Sequence, residues 1–235
     1  MSKIWAIGDL HLDHTKDKSM DIFGEDWRDH DEKIFNFWRE NVGEEDWVLV
    51  PGDISWALKW EEAYQDLKAI HDLPGQKILS KGNHDYWWTS LKKMEGIGLD
   101  SLHFIHNTSV QISEDTYVVG SRGWISRDAS EFTDQDEKIT LRELHRLNLA
   151  IDQVPQGKRM IAMIHYPPFL QSFEASDFTR ILSERGVDLC LYGHLHGNGH
   201  KYIFEGDLDG VDYQCVAADY LDFKCKELSW KEKLK

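Results

Sequence analysis

Residues 3–11, Lys3-Ile4-Trp5-Ala6-Ile7-Gly8-Asp9-Leu10-His11, place a strand and two candidate metal ligands in nine positions. The apolar run at residues 3–8 reads as a buried strand, and it breaks at a glycine into a carboxylate and an imidazole. In extended chain, residues i and i+2 face one side, so Asp9 and His11 can reach one cation. The same construction recurs along the chain. Strand candidates at 47–51, 77–80, 160–164 and 189–192 run into Gly52-Asp53, Gly82-Asn83-His84-Asp85, His165 and Gly193-His194-Leu195-His196. Two more, at 102–106 and 117–120, end without such residues. Between the strands lie helix candidates at about 29–41, 57–71, 133–152 and 175–185. The third is the clearest, with Thr133 as N-cap, acidic residues in its first turn, and Ile139, Leu144 and Leu147 on one face. Alternating strands and helices give an α/β class. In such sheets ligands gather at the carboxyl ends of strands, so motifs far apart in sequence can meet on one rim.

The remaining features bound the answer. The chain has 235 residues and no repeat or Pro/Ser-rich linker, which reads as a single domain, residues 1–235. Asp207-Leu208-Asp209-Gly210 reads as the turn of a late hairpin, and residues 231–235 as a frayed tail. The formal charge is −15, from 42 acidic and 27 basic side chains, which disfavours loose binding to nucleic-acid phosphates. Three cysteines without a Cys-x-x-Cys pair argue against a disulfide framework or a thiolate zinc site, and Cys190 reads as a small buried hydrophobe. The apolar run 4–7 is too short for a signal core or a membrane span, so the expected location is the cytoplasm, with no membrane partner.

The motifs offer carboxylate, amide and imidazole donors, enough for two divalent cations sharing one carboxylate. Asp53, after a buried-looking strand, is placed to bridge them. Asp85 can hydrogen-bond the imidazole of His84 and favour its protonated form, which would make His84 a general acid for a leaving alkoxide. Each motif alone also has a plain reading as a turn or cap residue. His30, His71, His103 and His145 have no supporting pattern, and His14 and His200 lie beside motifs.

The ordered set resembles the pattern of the calcineurin-like metallophosphoesterase superfamily, D-x-H, G-D, G-N-H-[DE], H and G-H-x-H, over about residues 7–197. That resemblance implies a four-layer αββα sandwich, two mixed β-sheets flanked by helices, with a dinuclear metal centre at one rim. One metal would take Asp9, His11, Asp53 and His196, and the other Asp53, Asn83, His165 and His194. His84 would be the general acid or transition-state stabiliser, with Asp85 as its orienting partner. Manganese is the first expectation for the two ions, with iron or zinc as alternatives. Many relatives carry a second acid in G-D-x-x-D; here that position is Trp56. Substrate preference therefore does not transfer from them.

The expected function is hydrolysis of a phosphomonoester or phosphodiester bond of a small molecule. The alternatives are a non-catalytic protein-interaction scaffold on the same fold, which would lack ligands, and a nuclease, which would need a basic surface. Arg122, in Gly120-Ser121-Arg122-Gly123-Trp124, reads equally as a bidentate phosphate clamp or a solvated charge. Trp56, Trp87, Trp88 and Trp124 sit near the motifs and read as core or rim packing rather than base-stacking platforms.

Overall fold

The computed structural model describes residues 2–15, 18 and 20–229. Its strands are Ile4–Ala6 (β1), Trp47–Pro51 (β2), Gln76–Ser80 (β3), Leu102–Ile105 (β4), Val110–Gln111 (β5), Thr116–Ser121 (β6), Arg159–Ile164 (β7), Leu189–Tyr192 (β8), Gly206–Leu208 (β9), Val211–Cys215 (β10) and Lys226–Glu227 (β11). The α-helices are His30–Asn41 (α1), Trp60–His71 (α2), Leu91–Glu95 (α3), Asp134–Ile151 (α4) and Asp177–Glu184 (α5). One sheet runs in the order β11-β1-β2-β3-β4 and the other β5-β6-β7-β8-β10-β9. Within each, the inner strands pair in parallel, and β5, β9 and β11 are antiparallel edges.

Four layers follow from how the strands alternate. In β7, Met160, Ala162 and Ile164 pack on one side, while Ile161 and Met163 pack on the other. In β8, Cys190 and Tyr192 oppose Leu189 and Leu191 in the same way. Strands with both faces apolar must be covered on both faces. The first sheet meets α1 and α2 through Val48, Val50, Ile34, Trp38, Leu67 and Ile70. The second meets α4 and α5 through Leu147, Ile151, Phe178 and Leu182. Between the sheets lies a third core, where Leu49 and Ile78 meet Val118, Ile161 and Leu191. This is the αββα sandwich expected from the motif pattern.

Several boundaries differ from the sequence reading for identifiable reasons. β1 stops at Ala6 because the chain then crosses between the sheets: the Ile7 amide donates to Leu49 O at 3.1 Å, and the Gly8 amide to Val216 O at 2.6 Å. α2 starts at Trp60, since Glu62 accepts from the backbone of Leu58 and Lys59, 3.2 Å each, and closes the turn before the helix. The buried face of α4 includes Thr140 and Glu143 beside Leu144 and Leu147, with Ile139 only half-buried. The late hairpin is present, and both of its turn residues are left-handed, Asp209 at φ 52° and Gly210 at φ 81°. Residues 231–235 lie outside the described residues, and no described helix is long and apolar enough to cross a membrane.

Lys77 of β3 is fully buried. Its ammonium donates to the carbonyls of Leu73 and of His71 (3.1 Å) and to Ser101 Oγ (3.3 Å), so it holds the C-terminal end of α2 against the first sheet. Burial lowers its pKa to about 8. Lys77→Met keeps the stem and removes the three donors, leaving buried acceptors unpaired. We expect it to lower unfolding stability by about 2 kcal/mol, measured by denaturant titration. An unchanged midpoint would show that these carbonyls need no lysine.

Candidate metal centre

The carboxyl ends of β1, β2 and β3 in one sheet, and of β7 and β8 in the other, converge. The loops leaving them carry Asp9, Asp53, Asn83, His165 and His194. Two groups form there, Asp9 with His11 and His196, and Asp53 with His165 and His194; the donor atoms within each lie within 4.8 Å of one another. Asn83 Oδ1 joins the second group, 2.7 Å from His165 Nε2 and 2.9 Å from His194 Nδ1. Asp53 Oδ2 stands between the groups, 3.7 Å from His11 Nε2 and 3.4 Å from His165 Nε2. All seven residues expected as ligands are thus brought together.

Backbone conformation makes this convergence possible. Asp9 (φ 57°), His11 (φ 44°), Asp53 (φ 51°) and His194 (φ 72°) all adopt the left-handed region. Each such residue costs of order 1–3 kcal/mol and persists only where surrounding structure enforces it. The enforcing bonds are backbone ones: the amides of Asp9 and His11 donate to the carbonyls of Gly52 and Asp53, at 3.0 and 2.9 Å. Two motif glycines have a steric role. A Cβ on Gly82 would lie 2.1 Å from Asp53 Oδ1, and one on Gly193 would lie 2.1 Å from Asp9 Oδ2. In their place, the amide of His84 reaches Asp53 Oδ1 at 2.8 Å, and that of His194 reaches both oxygens of Asp9 at 3.1 Å.

Asp85 does not orient the imidazole of His84, contrary to the expectation from their adjacency. Its buried carboxylate accepts from the backbone amides of Ile54 (2.9 Å), Ser55 (3.2 Å) and Gly82 (2.8 Å) and from Trp87 Nε1 (3.1 Å). The side chain ties the Asp53 loop to the Asn83 loop. Burial and the neighbouring Asp53 push its pKa up to about 6, against those donors. The half-buried imidazole of His84 has no hydrogen-bond partner among the described residues and packs against Trp56, 4.3 Å between ring centroids. Burial lowers its pKa, against the pull of Asp53, so the expected bias toward the protonated form is also absent.

The ring nitrogens sort by their second partners. Nδ1 of His165 lies 3.1 Å from the Pro51 carbonyl, which fixes the proton there and turns Nε2 toward the cluster. Nδ1 of His196 is 2.8 Å from Asp219 Oδ1, which turns Nε2 toward His11 in the same way. Burial alone would lower both rings; Asp53 and Asp9 hold His165 up to about 9, and Asp219 and Asp9 hold His196 up to about 10. Burial pushes His11 and His194 down to about 3, which leaves each a neutral donor. Two carboxylates, an amide oxygen and four imidazoles that together attract positive charge fit divalent cations of the borderline type.

Sequence reasoning missed Asp219. It lies four residues past the end of β10, so the strand-end rule that found the other motifs could have reached it. It also missed His30, whose Nε2 lies 3.1 and 3.3 Å from the carbonyls of Leu10 and His11 and secures that loop. His200 Nε2 comes within 3.1 Å of Asp219, while His14 pairs with Asp66, away from the cluster. Trp87 and Trp88 are core residues, and Trp56 stacks on His11 at 4.9 Å. Arg122 is not a solvated charge. Its guanidinium lies over Trp124 at 4.3 Å and 3.6 Å from the buried carboxylate of Glu143.

Two imidazole–carboxylate groups that could each hold a cation lie side by side where the strand ends of two stacked sheets meet in an α/β sandwich. A family model described as calcineurin-like phosphoesterase matches residues 2–198. The chain belongs to that family. It is similar to the Gene 66 protein of Mycobacterium phage L5, 35% identical over 85 residues, and to that of phage D29, 38% identical over 87 residues. Each match takes in 36% of this chain and 41% of the phage protein, so the chain spans about two fifths of the length of these curated relatives. Among solved structures, a protein of unknown function from Aquifex aeolicus aligns at TM-score 0.51 and 16% identity, covering 96% of this chain and 95% of that one. A phosphopantetheinyl hydrolase from Mycobacterium tuberculosis aligns at TM-score 0.59 and 14% identity, covering 92% and 89%. At these identities the likeness is one of fold.

Asp219→Ala removes the acceptor that fixes His196. We expect metal affinity at the Asp9, His11 and His196 group to fall by about 10–100-fold, read by titration calorimetry with Mn²⁺, while the other group still binds. Unchanged affinity at both would show that His196 needs no outer partner.

Proposed function

We propose that this chain is a dinuclear-metal-dependent phosphoester hydrolase acting on a small-molecule phosphomonoester or phosphodiester. The observation that carries this reading is the position of Asp53. One oxygen faces nitrogens of both clusters, and the other accepts the amide of His84. In this reading Asp9, His11, Asp53 and His196 would hold one cation and Asp53, Asn83, His165 and His194 the other, with Asp53 shared between them. A bound pair of cations supplies a lowered water pKa at neutral pH and charge stabilisation for phosphoryl oxygens. His84, its imidazole unbonded beside the cluster, donates a proton or hydrogen bond to the leaving oxygen. Asp85 acts on it through the backbone, by fixing the loop on which it rides. Manganese is the first candidate metal, with iron or zinc as alternatives.

A scaffold role is disfavoured because no ligand position is substituted. A nuclease role is disfavoured by the charge of −15. Phosphate release from monoester and diester model substrates with Mn²⁺ tests the reading directly, and absence of metal-stimulated turnover on all of them would favour the scaffold.

His84→Ala is expected to lower kcat by about 10²–10⁴-fold with both metals retained by elemental analysis. Loss of the metals would make His84 a ligand or structural residue instead. Asp53→Asn is expected to weaken both cation sites together in a calorimetric titration. One site keeping its affinity would refute the bridge.

A further inference from the structure

The two clusters are walled differently. On the side of the first, His11 stacks on Trp56 and meets the buried Trp27 edge-on, with ring centroids 4.9 and 5.9 Å apart. His196 also meets Trp27 edge-on, at 5.4 Å. Two indoles therefore close that flank. On the side of the second, the ring of His194 lies against Tyr166 at 4.2 Å and forms part of the wall of a cleft of about 160 Å³.

The lining of this cleft is rich in aromatic rings. Trp124 and Tyr166 line it with 5.5 Å between centroids, and Phe173 and Tyr202 line it as side chains 40% and 47% exposed. Large apolar side chains left in water beside a polar centre mark a binding surface. Phe173 adds a second sign, since it is held at φ 64°, a conformation that bulky residues avoid. Its amide donates to the Leu170 carbonyl at 2.8 Å, which closes the turn that presents the ring. Among the described residues no Lys or Arg lines the cleft, and its one charged lining residue is Glu131. The two cationic side chains that border it are already engaged: Arg122 lies over Trp124 at 4.3 Å and 3.6 Å from Glu143, and Lys201 lies over the Tyr202 ring at 4.8 Å. A neighbouring hollow of about 290 Å³ shares Trp124, Pro167 and Phe169 with it; Arg127 and Arg180 in its wall are paired with Glu137 and Asp177.

We propose that this cleft is the specificity site for the organic part of the substrate, and that it takes an uncharged aromatic group whose phosphoester linkage sits at the cluster beside His194. The proposal rests on the hydrolase reading above and adds the substrate class. Phe173 and Tyr202 are specificity residues: they touch the aromatic group and not the phosphoryl group. Trp56 contributes by closing the opposite flank.

The test compares 2-phenylethyl phosphate with ethyl phosphate on the Mn²⁺-loaded protein. Both leaving groups are primary alkoxides, so their chemistry is matched and only the ring differs. The aromatic ester is expected to have the higher kcat/KM by about tenfold or more, with the ratio falling toward one in the Phe173→Ser/Tyr202→Ser double variant. Neither side chain belongs to the buried core, and an unchanged unfolding midpoint of the double variant checks that the fold is kept. Equal kcat/KM for the two esters, or a ratio the double variant leaves unchanged, would overturn the proposal. Saturation-transfer NMR with 2-phenylethanol reads the cleft without turnover. Transfer is expected to the wild type and to be lost in the double variant; no transfer to the wild type overturns the proposal. Transfer that the double variant loses, with neither ester hydrolysed, supports the cleft and overturns the hydrolase reading instead.

Discussion

Two carboxylates, Asp9 and Asp53, are held almost wholly out of water, and the rest of the site answers that constraint. An isolated buried carboxylate costs several kcal/mol or more unless donors and opposite charge surround it. Here the donors come from the backbone. The amide of His194 serves Asp9, and that of His84 serves Asp53. The approach is so close that only glycine fits at 82 and 193. The motif glycines thus follow from the burial of the aspartates. The raised pKa values of His165 and His196 show how strongly the two carboxylates attract positive charge to this place. What binds metal is a consequence of how negative charge is buried.

The sandwich supplies the rigidity this demands. Four of the candidate ligand residues sit in a left-handed backbone conformation, and no local preference of aspartate or histidine would keep them there. They are kept by the register of β1 on β2, continued past the strands through Gly52 and Asp53, and by Asp85, which fastens the second loop to the third. Stability made in three apolar cores is in this way stored as strain at the rim. That is the arrangement expected where a site must be formed before its ligand arrives.

The large features were legible because they are periodic. Strands 47–51 and 189–192 were read to the residue, since both are uninterrupted apolar runs between clear breaks. The candidate ligands followed from one rule, a polar donor at the end of a parallel strand. What stayed hidden depends on partners distant in sequence. Asp85 beside His84 looked like its partner, yet four N–H groups claim the carboxylate, two from the Asp53 loop and two from its own. Arg122 read equally as a phosphate clamp or a solvated charge, and the partners that hold it, Glu143 and Trp124, were not visible in the sequence. Asp219 and His30 carry no motif and act only through folded geometry. The helix α3, with five residues, and the strands β5 and β11, with two each, are too short to show any period.

Those short strands have a significance of their own. Three of the four sheet edges are closed by antiparallel pieces of two or three residues: β11 beside β1, β5 beside β6, and β9 beside β10. A parallel strand at an open edge offers a row of unpaired amides and carbonyls on which another chain can assemble. A piece this short pairs with part of the strand beside it and presents too little backbone of its own to act as a template. The least conspicuous elements of the chain therefore act against aggregation: they prevent two hydrophobic sheets from pairing edge to edge with their neighbours.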